Sequence, residues 1–186
     1  ETPLVGQAYA DILNEVLPDD VLQVVHGADD QGKSLVAADI NLVAFTGSRA
    51  VGAKILSACG PDLKRVILEL GGKAALVVLE DADLEAASDF AVTNSFRNSG
   101  QVCVSTERIY VEDSVADEFE SLVIAKTEKF KQGDPTDESV RIGPMVNSTQ
   151  RDMVLEQLAQ AIKDGASVRS GGNTHNNFIE PTVLTG

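Results

Sequence analysis

The sequence is poor in aromatic, sulfur-containing and basic side chains. Of its 186 residues none is Trp, two are Cys, two are Met and two are His. The chain has 15 Lys and Arg and 29 Asp and Glu, which gives a net charge of −14. Two cysteines, Cys59 and Cys103, are too few for a disulfide scaffold and favour a reduced, cytoplasmic compartment. An acidic chain without a basic cluster is not expected to bind nucleic acid, whose phosphates attract Lys and Arg.

Long hydrophobic runs are missing as well. The longest is six residues, Ala74 to Leu79, whereas a membrane-spanning helix needs about 20, so we expect no membrane partner. The chain begins at Glu1, its first methionine is Met145, and it shows no signal-peptide pattern. We therefore expect an internal piece of a longer protein.

Helical and strand patterns alternate along the chain. Helical spacing of apolar residues predicts helices at 4–17, 31–38, 51–58, 84–96, after Ser114, and at 149–164. Short apolar runs predict strands at 21–25, 41–45, 65–70, 75–79, 109–111, 167–169 and 178–184. Asp81 or Asp83 is expected to cap the helix at 84–96, and Ser114 the helix that follows it. This alternation favours an α/β fold with a parallel sheet covered on both faces.

The segment Phe45-Thr46-Gly47-Ser48 joins a predicted strand to a predicted helix. The free amides and positive dipole end of a helix N-terminus can hold a pyrophosphate, and the Ser48 hydroxyl can add a hydrogen bond. Taken alone, the segment fits an ordinary strand-to-helix connection better, because it lacks the spacing of the known glycine-rich phosphate loops.

The segment Leu68-Glu69-Leu70-Gly71-Gly72-Lys73 places a carboxylate inside an apolar strand. Carboxylates are rarely buried unpaired, and a partly buried one is suited to general-base work. The two glycines allow close approach of another backbone or a substrate, and they mark the best boundary between two domains. The alternative is a Glu69 at the exposed strand end, paired with Lys73.

The segment from Phe96 to Cys103 ends a helix with a Gly-Gln turn and a single cysteine. A thiol on such a loop is accessible and, together with a base, provides the minimum for covalent catalysis at a carbonyl. A buried, inert cysteine is about as compatible with this segment alone. Cys59, in contrast, lies among small apolar residues of a helix and is expected to be inert. His26 and His175 lack metal-ligand spacing, so no metal site is expected.

Together these segments resemble the NAD(P)-dependent aldehyde dehydrogenases, which carry Phe-Thr-Gly-Ser, Leu-Glu-Leu-Gly-Gly-Lys and Gly-Gln-x-Cys in this order. The opening Thr-Pro-Leu and the closing Glu-Pro-Thr-Val match as well. The resemblance implies three-layer α/β/α parallel sheets. Residues 1–70 would be the later half of a Rossmann-like NAD(P)-binding domain, and 71–186 the first part of the catalytic domain.

The resemblance also implies an activity, the oxidation of an aldehyde to a carboxylic acid with NAD or NADP. Cys103 would attack the aldehyde to form a thiohemiacetal, which becomes a thioester. Glu69 would activate the water that hydrolyses it, or help to deprotonate the thiol.

The same resemblance implies the cofactor contacts. Gly47 and Ser48 would hold the pyrophosphate, Val51 would lie beside the adenine, and the backbone of Leu70 near the nicotinamide.

Other parts of the family's site have no counterpart in these residues: an upstream Asn of the oxyanion hole, an upstream Lys for the adenosine ribose, and a downstream Glu-x-Phe-Gly-Pro motif. We therefore expect the 186-residue chain alone to be inactive or nearly so. The alternative to an enzyme is a piece that only binds nucleotide or a partner. The parent enzyme is expected to be a homodimer or homotetramer.

The aldehyde itself is less clearly indicated. Arg97 resembles the arginine with which succinic semialdehyde dehydrogenases grip a substrate carboxylate, and a guanidinium fork suits that task. Ser105, in contrast, stands where those enzymes often carry a second Cys, and the sequence from Ser105 to Arg108 is more similar to aromatic-aldehyde members. A surface salt bridge is the alternative for Arg97.

Overall fold

The computed structural model describes residues 2–186, and the chain divides into two compact units, Glu1–Gly71 and Gly72–Gly186. The first unit contains helices α1 (Pro3–Asn14), α2 (Asp29–Ala37) and α3 (Arg49–Cys59) and strands β1 (Leu42–Gly47) and β2 (Arg65–Leu70). β1 and β2 are parallel, in register from Leu42 opposite Arg65 to Gly47 opposite Leu70. α3 is the crossover that a parallel pair requires.

Close packing and one buried ammonium hold this unit together. Gly52 of α3 lies against β2, where an added Cβ would be 2.9 Å from Leu70 Cδ2. The Lys64 ammonium, only 7% exposed, donates to the carbonyls of Val36 and Ala38 at 2.8 Å each. Since the last carbonyls of a helix have no partner within the helix, Lys64 stabilises the C-terminal end of α2.

The predicted strand at 21–25 is wrong. These residues are irregular, and the side chains of Val21, Val24 and Val25 are 63%, 40% and 59% exposed. A strand forms only where a neighbouring backbone takes up its hydrogen bonds, and the described residues place no strand beside this segment.

The second unit contains helices α4 (Leu84–Phe96), α5 (Ala116–Thr127) and α6 (Ser148–Lys163), with a 3₁₀ turn at Arg97–Gly100 after α4. Its strands are β3 (Ala74–Val78), β4 (Thr106–Val111), β5 (Ser167–Ser170), β6 (Thr174–His175), β7 (Phe178–Ile179) and β8 (Val183–Thr185). β3 and β4 are parallel, and α4 and α5 pack on one face of this pair. The core consists of Val78, Ala91, Val92, Phe119 and Val123.

Of the two predicted helix caps, the one on α4 is confirmed and the one on α5 is wrong. Asp83, rather than Asp81, caps α4 by accepting the Ala86 N–H at 3.0 Å. The Ser114 cap is wrong, because α5 begins after Val115 and has no side-chain cap. Ser114 lies inside a backbone turn in which the Val115 N–H donates to Glu112, so this turn leads directly into the helix.

The predicted strand at 178–184 is two strands. β7 pairs antiparallel with β6, and β8 pairs antiparallel with β5. Pro181 lies between them and has no N–H for a continuous ladder, which explains the break.

No helix within residues 2–186 has both the length and the apolar character needed to cross a membrane.

Candidate active site

Four predicted site residues lie at one edge of the β1–β2 pair. Thr46 lies opposite Glu69 and Gly47 opposite Leu70, so both strands end at the same level. Ser48 follows immediately, as the residue that caps α3. Ligands of parallel α/β sheets bind outside the carboxyl ends of the strands, so the structure brings Gly47, Ser48, Glu69 and Leu70 together at a position suited to a ligand.

The N-terminus of α3 has free hydrogen-bond donors of the kind that an anion can use. The Ser48 hydroxyl oxygen accepts the Val51 N–H at 3.3 Å, which leaves its own proton for a bond outward, and the Ser48 carbonyl accepts the Gly52 N–H at 2.9 Å. The preceding amides, those of Arg49 and Ala50, belong to the first turn and have no acceptor within the helix. A phosphate group therefore fits here by charge and by hydrogen bonding.

Gly47 and Val51 shape the same end of the helix. A Cβ at Gly47 would lie 2.4 Å from Phe45 Cζ, so a side chain at position 47 would displace the Phe45 ring. Val51 is 42% exposed and presents an apolar surface one turn along. A ligand with a flat apolar ring next to a phosphate group matches this combination of an exposed apolar side chain and free helix amides.

Glu69 is exposed, as the alternative of an exposed strand end predicts, and it is not the partly buried carboxylate that general-base work favours. Alternating exposure along β2 places Glu69 on the open face of the pair, with Ile67. Lys73, the partner considered for Glu69, forms its ion pair with Glu107 at 2.5 Å, and its carbonyl accepts a bond from Arg108 Nε at 2.9 Å.

Cys103 is exposed and lies in a tight turn, whereas Cys59 is only 1% exposed. The Ser105 N–H donates to the Val102 carbonyl at 3.0 Å, which places Cys103 at the first central position of a four-residue turn. A Cβ built at Gly72 would be 3.5 Å from the Cys103 carbonyl oxygen, so the start of the unit runs beside this turn.

The backbone before Cys103 is strained. Asn98, Ser99 and Gly100 have φ angles of 53°, 58° and 73°, three successive residues in the left-handed region. Non-glycine residues adopt it at a cost of order 1–3 kcal/mol each and keep it only where the surroundings hold them. The Ser99 hydroxyl donates to the Gly143 carbonyl at 2.9 Å, and the Gln101 carboxamide oxygen accepts a main-chain N–H at 3.2 Å.

Asn94 and Ser95, in the last turn of α4, hold the other side of the Cys103 turn, and sequence reasoning missed both. Asn94 Nδ2 donates to the Val104 carbonyl at 3.3 Å and to Thr106 Oγ1 at 2.8 Å. The Ser95 hydroxyl donates to the Thr106 carbonyl at 2.8 Å. No motif contains these residues, and only their helical position just before the cysteine segment could have signalled them.

Arg97 is exposed and directly follows α4. Among residues 2–186 it forms no ion pair, so the surface salt bridge considered for it does not form there.

An acidic loop follows α5. Hydrogen bonds from the Thr136 main-chain N–H and hydroxyl lower the pKa of Asp134. The Ser139 hydroxyl and the Lys131 ammonium lower the pKa of Asp137. These carboxylates stabilise their own loop, between α5 and α6.

The chain belongs to the aldehyde dehydrogenase family, since the profile of that family matches residues 1–186. A mitochondrial aldehyde dehydrogenase of Leishmania tarentolae is 40% identical, over 100% of this chain and 39% of the relative.

Solved structures agree with this assignment. Succinate-semialdehyde dehydrogenase from Burkholderia pseudomallei is 37% identical, with a TM-score of 0.89, over 94% of this chain and 37% of its own. Glyceraldehyde-3-phosphate dehydrogenase GapN from Methanocaldococcus jannaschii, complexed with NADP, is 33% identical, with a TM-score of 0.93, over 98% of this chain and 41% of its own. The α/β fold is thus the aldehyde dehydrogenase fold, and the chain spans about 40% of the length of its relatives.

Proposed function

We propose that this chain supplies the nucleophile and part of the cofactor site of an enzyme that oxidises an aldehyde to a carboxylic acid with NAD or NADP. The observation that carries the proposal is Cys103, exposed at the tip of a hydrogen-bonded turn, in a chain that matches the aldehyde dehydrogenase family along its whole length.

Cys103 starts the reaction as a thiolate that adds to the carbonyl carbon of the aldehyde. The new C–S bond gives a thiohemiacetal, whose oxygen carries the negative charge. A nicotinamide, when bound, supplies the acceptor for the hydride that this carbon must lose to become a thioester. The route makes chemical sense because a tetrahedral oxyanion releases hydride far more readily than a free aldehyde does.

Glu69 completes the turnover by accepting a proton from water. The water oxygen attacks the thioester carbon, the C–S bond breaks, and the carboxylic acid leaves while Cys103 is restored. An exposed carboxylate at a strand end can reach a water molecule, which supports this role. Deprotonation of the Cys103 thiol is the alternative task for Glu69.

The cofactor site would use the edge of the β1–β2 pair. The amides at the start of α3, with Gly47 and the Ser48 hydroxyl, would hold the pyrophosphate, and Val51 would lie beside the adenine. Leu70, opposite Gly47, would place its backbone near the nicotinamide. In this proposal residues 1–70 are the later half of the NAD(P)-binding domain and 71–186 the first part of the catalytic domain.

Substrate choice and assembly belong to the proposal too. Arg97 is exposed and has no ionic partner in the described chain, which leaves its guanidinium available for a substrate carboxylate such as that of a semialdehyde. The enzyme would be a homodimer or homotetramer, in a cytoplasmic compartment that keeps both cysteines free.

The test is aldehyde-dependent reduction of NAD or NADP by the protein at its natural length, followed at 340 nm across aliphatic, aromatic and carboxylate-bearing aldehydes. We expect turnover with at least one class, and none from Cys103→Ala. Turnover that survives in Cys103→Ala, or no reduction with any aldehyde, would contradict the proposal. Loss of preference for carboxylate-bearing aldehydes in Arg97→Gln would support the role of Arg97.

A second candidate function is nucleotide or partner binding without catalysis by residues 1–186 themselves. The chain spans about 40% of its relatives, and losing one oxyanion donor alone lowers the rate by about 10²–10³. Titration of this chain with NADH, followed by fluorescence, and a parallel turnover assay distinguish the two. Binding without turnover supports this second candidate for the isolated chain, and steady-state turnover rejects it.

A further inference from the structure

We infer that Asn94 is a positioning residue for the Cys103 nucleophile: its side-chain amide holds the turn that presents the thiol. The inference rests on the proposed function for its catalytic meaning, and on the geometry of α4 and residues 102–106 for its structural content. Asn94 does not touch the reacting atoms and acts through the backbone of its neighbours.

Both hydrogens of the Asn94 amide nitrogen are engaged by the residues that follow Cys103. One goes to the Val104 carbonyl at 3.3 Å and the other to Thr106 Oγ1 at 2.8 Å. Thr106 is only 5% exposed, so its hydroxyl loses water on folding and depends on this partner. A carboxylate in place of this amide would have the same shape but no hydrogen to donate.

The helix that carries Asn94 provides a rigid base. Ala91 and Val92, one turn or less away, are 1% and 2% exposed and belong to the core of the unit. The start of α4 is fixed by the Asp83 cap. Because the core fixes this helix, a side chain at its C-terminal end holds the cysteine turn in place relative to the core.

The Cys103 side chain is exposed, and the turn around it is closed by one main-chain bond, from the Ser105 N–H to the Val102 carbonyl at 3.0 Å. The hydroxyls of Ser95 and Ser105 also support these residues by donating to the carbonyls of Thr106 and Gly100, but neither of them binds the Val104 carbonyl. Covalent catalysis needs the sulfur about 3–3.5 Å from the carbonyl carbon in the correct direction, and a displacement of 1 Å can cost about 100-fold in rate. Freeing the Val104 carbonyl lets this turn move.

The test compares Asn94→Asp with Ser88→Ala in the protein at its natural length. Ser88 lies in the same helix, is fully buried, and donates to the Glu85 carbonyl of that helix at 3.0 Å, so Ser88→Ala controls for the loss of a buried side-chain hydrogen bond in α4. We expect Asn94→Asp to lower kcat about tenfold with KM for aldehyde and cofactor little changed, and Ser88→Ala to leave kcat unchanged. Asn94→Leu also removes the donor to the Val104 carbonyl, without adding a charge, and should reproduce the kcat effect if Asn94→Asp does not fold.

Hydrogen exchange of peptides that cover residues 102–106 gives the readout that does not depend on catalysis. We expect faster exchange in Asn94→Asp than in Ser88→Ala. The inference is overturned if Asn94→Asp has the wild-type exchange rate and kcat, or if Asn94→Asp and Ser88→Ala lower kcat equally. A wild-type protein that reduces no cofactor would instead count against the proposed function, while the exchange result would still decide whether Asn94 holds the turn.

Discussion

At the scale of single residues, the two cysteines differ in burial, which controls whether a thiol can reach solvent or substrate. Cys103 lies on an exposed turn, and Cys59 ends α3 with 1% of its surface exposed. A thiolate must reach solvent or substrate to act as a nucleophile. The sequence already distinguished them, because Cys59 lies within a helical apolar pattern and Cys103 follows a Gly-Gln turn.

We predict selective alkylation of Cys103. Iodoacetamide at neutral pH should modify Cys103 at least 10-fold faster than Cys59 in the folded protein, because Cys59 reacts only when its helix opens. Peptide mapping by mass spectrometry measures both sites, and the unfolded protein in denaturant is the control in which they should react alike. Comparable rates in the folded protein would contradict the burial difference.

Other residues of the site were beyond sequence reasoning. For Glu69 the sequence left a partly buried and an exposed position open, because the face of β2 that a helix covers is decided by packing rather than by composition, and it offered Lys73 as a partner where the structure pairs Lys73 with Glu107. Asn94 was missed because a hydrogen bond from the end of a helix to a turn 10 residues later leaves no periodic signal.

At the scale of elements, α3 shows one residue with a structural role and a proposed binding role. Ser48 caps the helix through its side-chain oxygen and also stands at the proposed phosphate position. Sequence reasoning placed this helix well because a strand, a small-residue turn and a helical pattern follow each other directly.

Ser48→Ala is predicted to lower the free energy of unfolding by about 1 kcal/mol, the usual cost of losing an N-cap, and to weaken NAD(P) binding. Urea denaturation followed by circular dichroism and a cofactor titration measure the two effects. Ser48→Thr, which keeps the hydroxyl, is the matched control. A cofactor affinity unchanged in Ser48→Ala would argue against the phosphate role.

The loop between α5 and α6 is predicted to loosen in acid. Hydrogen bonds lower the pKa values of Asp134 and Asp137 below their ordinary 3.8, so both bind protons less readily in the folded loop than in the unfolded chain. Their stabilisation is present above the unfolded pKa and is lost as pH falls through the folded pKa, below about pH 4.

Hydrogen exchange of peptides within 131–140, corrected for the intrinsic pH dependence of exchange, measures this effect. Exchange should rise between about pH 5 and pH 3, and Asp137→Asn should already exchange faster at neutral pH. A corrected exchange rate that is flat over this range in the wild type would show that these carboxylates do not hold the loop.

The mispredicted elements share one cause. Residues 21–25 have strand composition but no neighbouring strand among the described residues, and 178–184 is divided by Pro181 into two short strands with different partners. Local composition predicts the tendency to extend, whereas the partner of a strand is decided elsewhere in the chain.

At the scale of the whole molecule, each parallel pair has one open face that exposes large apolar side chains. Val77 of β3 and Tyr110 of β4 face each other at 62% and 54% exposure, and Ile67 of β2 is 51% exposed. Parallel sheets are normally buried on both faces. The described residues cover one face of each pair.

Residues 1–186 expressed alone are therefore predicted to bind a hydrophobic dye such as ANS strongly and to show no measurable turnover. Fluorescence titration and the NADH assay check the two expectations, with Val77→Thr as a variant that should reduce dye binding. Weak dye binding, or measurable turnover, would contradict these two expectations.

Trapping the acyl group decides whether Cys103 is the residue that carries it. The Glu69→Gln variant, at natural length, is mixed with aldehyde and NAD or NADP, quenched in acid and mapped by mass spectrometry. We predict a burst of NADH or NADPH, a steady-state rate lowered by about 10²–10⁴, and the acyl mass on the peptide that contains Cys103. Cofactor reduction without an acyl group on Cys103, or an acyl group on Cys59, would contradict the account.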